Sequence, residues 1–400
     1  MVQSMPDASP TKWHLAHTTW FFETFLLKPN LPGYQLFHDH FTYLFNSYYK
    51  QVGSHPNRSF RGLFSRPSLD QVHAYREYVD RQMARLIEAA NGDLAKLIVL
   101  GLNHEQQHQE LIITDIKHGL WSNPLRPAWK NNPPAAETEV PVLRWQDFDE
   151  GLYSIGFDSC HSETEPRKPS DGLDFSFDNE TPRHQVFLNR FSLASRLVTN
   201  GEYLEFMRDG GYSRPEFWLS DGWDTVCAQR WNAPLYWEER DGQWQVFSVN
   251  GVQSVVMSEP VCHVSYYEAD AYARWASARL PLESEWELAA SQVAIDGNFL
   301  ESGRLHPLSL GGAVDYQITR SSDHQMFGDV WEWTASPYTA YPGFAPASGA
   351  LGEYNGKFMS GQMVLRGGSC ATPKSHIRAT YRNFFPPHGR WQFMGIRLAK

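Results

Sequence analysis

Apolar residues recur at a helical period along the first third of the chain and in short alternating runs along the rest. Over residues 97–115, LIVLGLNHEQQHQELIITD, the apolar stripe runs Leu97, Leu100, Leu111, and His104 and His108 fill its gap. Four residues apart on a helix, they sit one above the other on the face that the stripe buries. Gly101 borders the stripe, where a missing side chain weakens the helix but lets a neighbour approach. An earlier helix is predicted over residues 11–27, TKWHLAHTTWFFETFLL, opened by Ser9-Pro10-Thr11. Trp13, His17, Trp20 and Thr24 recur at heptad-like spacing with Phe21 beside them, so His17 also faces inward. His14 lies off that line, behind it or at the surface. Pro29 and Pro32 end this helix. Ser68-Leu69-Asp70-Gln71 opens another, closed by Asn91-Gly92-Asp93 before the 97–115 segment. With a short connecting helix, the count fits an up-and-down four-helix bundle.

Residues 122–142 are proline-rich and aperiodic, which marks a boundary. The domains expected are 1–125, a linker at 126–142, and 143–400. Beyond the linker, LYSIGF, HQVFLNRFSLASRLV, QVFSV and FMGIRL read as short strands between long loops, with helices at 200–208 and 266–277. The fold class is α+β, multidomain.

The chain has 400 residues, more than one core usually serves, and a formal net charge of −10, which disfavours nucleic acid or an anionic membrane as partner. No cationic leader and no 18-residue apolar run occurs, so the expected location is cytoplasmic. Cys160, Cys227, Cys262 and Cys370 are scattered without C-x-x-C spacing, which excludes a disulfide framework or zinc–thiolate site as the organising feature.

Buried imidazoles need partners. His17, His104 and His108 are either core histidines hydrogen-bonded across a bundle or three ligands of one metal ion. By affinity alone, an imidazole set of this kind would admit iron, zinc, cobalt or nickel. The loop between the first two long helices carries Tyr48, Tyr49, Arg58, Arg61 and Arg66. Arginine's planar fork suits the carboxylate of a small acidic substrate. Gln107, at the edge of the histidine helix, can lean into a cavity there.

The motifs HLAHTTWFFE and HEQQHQE resemble the metal-binding motifs of the iron-dependent sulfoxide synthases of ergothioneine biosynthesis (the EgtB family), and the first 120 residues resemble a DinB-like bundle. GLYSIGFD, CHVSYYEADAYARWASARLPLESEWELAA, GDVWEWTASPY and VLRGGSCAT resemble a formylglycine-generating-enzyme/sulfatase-modifying-factor domain, a C-type-lectin-like fold. That fold hosts several functions, so the bundle motifs joined to it carry the functional reading. The resemblance implies that His17, His104 and His108 hold Fe(II). It also implies that hercynine and a cysteine-type thiol are coupled with O2 to a sulfoxide at imidazole C2. Gln107 would hydrogen-bond hercynine's imidazole and Asn383 would meet its carboxylate. Phe384, Phe385 and Trp391 would face the trimethylammonium.

The chain departs from the mycobacterial subgroup, where an acidic residue follows an Asn-Trp pair; here the sequence is Asn383-Phe384-Phe385. FNSYYKQVG is instead similar to the second subgroup, whose active tyrosines come from the bundle. This implies Tyr48 and Tyr49 as catalytic residues, Arg58 and Arg61 on the thiol substrate's carboxylate, and cysteine rather than γ-glutamylcysteine as donor. Relatives also place a calcium site near Asp329 and Glu332. Arg279, Glu285, Arg366, Arg378 and Arg382 are expected to hold the second domain together, and Cys370 to be buried and inert. Two readings compete. One is an ovothiol-type or selenium-transferring relative with another imidazole substrate; the other is a non-catalytic metal-binding bundle joined to a lectin-like module. No oligomeric state follows from the sequence.

Overall fold

The computed structural model of the protein describes residues 2–90, 92–132, 137–158, 175–310 and 325–400. Cys160 and part of the expected linker lie outside the described residues. The chain forms two compact units. The first contains Met1–Ser122 together with residues 175–178 and Ala345–Lys357. The second contains most of the remainder.

The first unit is helical. Helix α1, Thr11–Phe22, is buried on nearly every side and passes into a π-helical stretch, Glu23–Leu27. The buried Glu23 opens that stretch, and its carboxylate accepts from the Tyr34 hydroxyl at 2.7 Å, the Phe37 amide at 3.0 Å and the Tyr75 hydroxyl at 2.5 Å. Helix α2, Phe41–Leu44, is a single turn. Helix α3, Leu69–Glu88, starts at a capping box between Ser68 and Gln71. It buries Val72, Tyr75, Val79, Met83 and Leu86, one stripe at steps of three and four. Helix α4, Gly92–Ser122, carries His104 and His108. Among the described residues the bundle therefore has three long helices and a one-turn fourth. Gly101 acts as the pattern predicts, since a Cβ there would meet the Phe22 ring at 2.8 Å.

The second unit is α+β. Its four-stranded sheet has the order Asn383–Phe385, Met363–Arg366, Trp331–Pro337, Met394–Gly395. Among the described residues a three-stranded meander (Trp237–Arg240, Gln243–Ser248, Gly251–Ser254) and three two-stranded pairs complete the sheets. The run HQVFLNRFSLASRLV divides into His184–Leu188 and Phe191–Ala194. The predicted helix Asn200–Arg208 is present, and the next is Tyr266–Trp275. Two further helices, Ser220–Gln229 and Glu283–Ala290, have leucine rather than a polar residue before their first turn, which is why no cap signal announced them.

Ion pairs, most of them buried, tie the second unit together. Arg397 meets Glu332 at 2.7 Å, Arg366 meets Glu287 at 3.0 Å, Arg382 meets Glu283 at 2.9 Å and Arg378 meets Glu180 at 2.6 Å. Arg279 meets Glu285 at 2.7 Å. The backbone at Gly367 and Gly368 is left-handed, at φ 97° and 81°, so side chains there would be strained. Cys262 and Cys370 are buried. The two carboxylates near which relatives place calcium are otherwise engaged. Glu332 accepts from Arg397 and from the Trp286 indole at 2.7 Å. Asp329 accepts from Asn298, Gln325 and the Leu308 amide. Both face N–H donors, which compete with a cation for the same oxygens, so calcium is not supported here.

Candidate metal and substrate site

Helices α1 and α4 bring His17, His104 and His108 together, as their inward stripes require. One ligand atom from each lies within 4.8 Å of the others, and all three residues are buried. Among the described residues no other group of histidine, cysteine or acidic side chains has this arrangement. Stacked rings fix the imidazoles. Trp13 lies 4.6 Å from His17 at 12° between planes, Trp20 lies 5.5 Å from it at 16°, and Phe21 sits 4.5 Å from His104.

The electrostatics keep all three neutral. Burial, then the neighbouring His104, pushes His17 well below the ordinary imidazole range. Burial and His104 do the same to His108, and burial pulls His104 down to about 3. Neutral imidazoles present lone pairs, the form a metal binds. His17 Nδ1 lies 2.6 Å from the Phe45 carbonyl, which can only accept. That nitrogen therefore carries the hydrogen, and Nε2 is left as a ligand atom. His104 Nδ1 is buried with no hydrogen-bond partner among the described residues. A buried, unpaired nitrogen costs free energy in a metal-free site and none as a ligand. The residues fit a metal ion.

Around this centre the first unit places further predicted residues. Tyr48 and Tyr49 stack at 4.6 Å, and Tyr49 lies 5.6 Å from Trp20. Burial pushes both phenols up, so each keeps its proton at neutral pH. Arg61 is buried over the Trp13 ring, 3.5 Å from its centroid, and donates to Ser9 Oγ at 3.1 Å and Ser47 Oγ at 2.9 Å. Burial and then the Arg58 charge pull its guanidinium down to about 9, which leaves it cationic at neutral pH. Arg58 itself is exposed and donates to the Asp7 carbonyl. The geometry thus separates the two arginines: Arg61 is an interior charge, Arg58 a peripheral one.

Two residues escaped the sequence reading. Tyr354 belongs to the first unit and donates to Gln107 Oε1. Its ring lies 5.7 Å from His104 and 6.4 Å from Tyr48, and stacks on Phe177 at 5.5 Å. No periodicity links it to the bundle, because 247 residues separate it from Gln107. Asp115 is the second; its carboxylate lies 2.9 Å from His14 Nε2. His14 is buried, behind the inward line.

Asn383, Phe384 and Phe385 form an edge strand of the second unit. Phe384 stacks on Tyr338 at 4.1 Å, and Phe385 lies 5.7 Å from Trp391. The Asn383 side chain accepts from the Phe384 amide at 2.9 Å.

Comparison with known proteins adds the relatives. Residues 160–313 and 319–400 match the sulfatase-modifying factor enzyme 1-like domain family. Hercynine oxygenase of Mycolicibacterium smegmatis is 30% identical over 432 residues, covering 99% of this chain and 92% of that protein. Hercynine oxygenase of Mycobacterium tuberculosis is 38% identical over 241 residues, 56% of each chain, so the match spans about half of that relative. Formylglycine-generating enzyme of Streptomyces coelicolor is 28% identical over 57% of this chain and 83% of its own.

Proposed function

We propose, for a chain that belongs to the hercynine oxygenase family and is an oxidoreductase, that it joins a thiol sulfur to C2 of hercynine's imidazole with Fe(II) and O2. The reaction balances as hercynine plus thiol plus O2 giving the C2-linked sulfoxide plus water. The C2–H and S–H bonds break, the C–S and S=O bonds form, and O2 takes up four electrons. The observation that carries this reading is the buried, neutral His17–His104–His108 cluster with an unpaired ring nitrogen. Fe(II) bound there would supply the redox chemistry that a zinc ion cannot.

The protein's own residues do the rest. Arg61 offers a desolvated cation to the carboxylate of the thiol substrate, with Arg58 adding charge from outside. Cysteine is the proposed donor, because Phe385 offers no acidic partner for a γ-glutamyl amino group. Gln107, braced by the Tyr354 hydroxyl, presents an amide to hercynine's imidazole. Asn383 is proposed for hercynine's carboxylate, and Phe384 and Phe385 for its trimethylammonium. Tyr48 and Tyr49, neutral and stacked, hold the proton needed when oxygen is reduced. No described helix is long and apolar enough to cross a membrane.

The test is anaerobic Fe(II)-loaded protein with hercynine and equal cysteine and γ-glutamylcysteine, then oxygen. Products are read by mass spectrometry and by NMR for the ring position. A C2-linked cysteinyl sulfoxide is expected. The γ-glutamyl product overturns the donor assignment, and attachment at C5 overturns the substrate class. Replacing Tyr48 and Tyr49 together by phenylalanine is expected to shift product from sulfoxide towards sulfinic acid or to stop turnover; an unchanged sulfoxide yield sinks their role.

A further inference from the structure

The buried chain Asp115–His14–His108 sets which nitrogen of His108 is free. Asp115 Oδ2 lies 2.7 Å from the Ser9 amide and 2.9 Å from His14 Nε2. A backbone amide can only donate and a carboxylate can only accept, so His14 Nε2 carries the hydrogen. In its neutral form His14 has one N–H, so the hydrogen on Nε2 leaves Nδ1 as a lone pair. That nitrogen lies 2.8 Å from His108 Nδ1. A hydrogen bond there requires the hydrogen on His108 Nδ1, and His108 Nε2 becomes the lone pair open to a metal. His14 is 3% exposed and His108 9%, so water is poorly placed to substitute.

We propose that His14 and Asp115 are positioning residues that lock His108 in the Nδ1–H tautomer, so that its Nε2 is ready to bind metal. Free histidine prefers the hydrogen on Nε2, the tautomer that cannot ligate through that atom. The chain reverses this preference before metal arrives. The Phe45 carbonyl does the same for His17, so two of the three ligands are preset by different partners, one of them a second histidine. Metal-bound histidines generally need such a partner on the other nitrogen. The inference rests on the metal reading of the triad, yet its first readout is made without metal.

Metal-free full-length protein labelled with 15N-histidine reports each ring's tautomer by 15N NMR, with His108 assigned from a His108→Gln control. Wild type is expected to show His108 protonated at Nδ1 and His14 at Nε2. His14→Phe removes the acceptor and Asp115→Ala the anchor; both are expected to move the His108 hydrogen towards Nε2. Calorimetric titration with Co(II) alone is expected to show 10–100-fold weaker binding in both. Asp115→Asn is the conservative rescue: the Ser9 amide orients the asparagine oxygen where Oδ2 stood, His14 can still donate to it, and affinity is expected to stay within about threefold. Wild-type His108 protonated at Nε2, or a doubly protonated His14, overturns the inference. So does Asp115→Asn falling as far as Asp115→Ala, because charge and not tautomer would then be the cause. Should His14→Phe misfold, the wild-type spectrum and the two Asp115 variants still decide. Wild type with the Nδ1–H spectrum and no Co(II) binding supports the tautomer lock and overturns the metal reading instead.

Discussion

At the residue scale, the three inward histidines store an acid sensitivity. Each has a folded pKa below that of the unfolded chain, which takes up protons first as pH drops below about 6.5. Folded stability is therefore highest above that value and falls with falling pH, down to about 3 for His104. Each histidine contributes up to ~1.4 kcal/mol per pH unit in that window. Urea unfolding of metal-free protein between pH 7 and 4 should show this loss, and His104→Gln should make the slope shallower. A slope unchanged by that substitution would mean that His104 is not a buried neutral imidazole. The clustering of the three histidines was legible because helical periodicity is local: His17 interrupts one apolar stripe, and His104 and His108 another. Asp115 was not, since two turns beyond His108 it looks like any polar helix residue. Its meaning comes from His14 and the Ser9 amide, about 100 residues away in sequence.

At the element scale, α1 and α4 approach closely because Gly101 has no side chain. Alanine there would gain ~1 kcal/mol of helix propensity. Its Cβ would stand 2.8 and 2.9 Å from two Phe22 ring atoms and 3.4 Å from Phe21, in a region that overpacking destabilises by ~1–3 kcal/mol. Crowding exceeds propensity, so Gly101→Ala should lower stability by about 1 kcal/mol, measured as the urea midpoint at constant slope. Phe21 leans on His104, so the same change should weaken metal binding. A stabilised variant would show that the helices are not in contact at this point. The long helices could be read in advance because stripe and breaker agree, as with the Ser68–Gln71 capping box. Where a helix follows a leucine, as before Ser220 and Glu283, nothing local marks its start. The short parallel strand Met394–Gly395 shows the converse limit. FMGIRL alternates like a longer strand, but its pairing with Trp331 and Glu332 covers only two residues.

At the scale of the whole chain, the helical unit is not one continuous piece of sequence. Ala345–Lys357 joins it from the far side of the second unit's residues, and no reading by composition or period could have joined them. That segment does two things at the site. Tyr354 holds Gln107. One residue earlier, the Glu353 carboxylate accepts from the amides of Lys50 at 3.0 Å and Gln51 at 2.9 Å, directly after the tyrosine pair. A carboxylate on two backbone amides pins the turn that carries Tyr48 and Tyr49. Each such bond is worth ~1–2 kcal/mol at this partly exposed position, which corresponds to about 5–30-fold in local opening. In the full-length protein, Glu353→Ala should therefore speed hydrogen exchange at the Lys50 and Gln51 amides by roughly 5–30-fold, while the α3 amides stay protected. His17, His104 and His108 are untouched, so Co(II) affinity should hold while product shifts from sulfoxide towards sulfinic acid. If exchange rises and the product ratio does not move, the turn is pinned for stability alone and Tyr48 and Tyr49 need no fixed position. If neither moves, Glu353 is a passive surface acid, and the segment acts on the site through Tyr354 and Gln107.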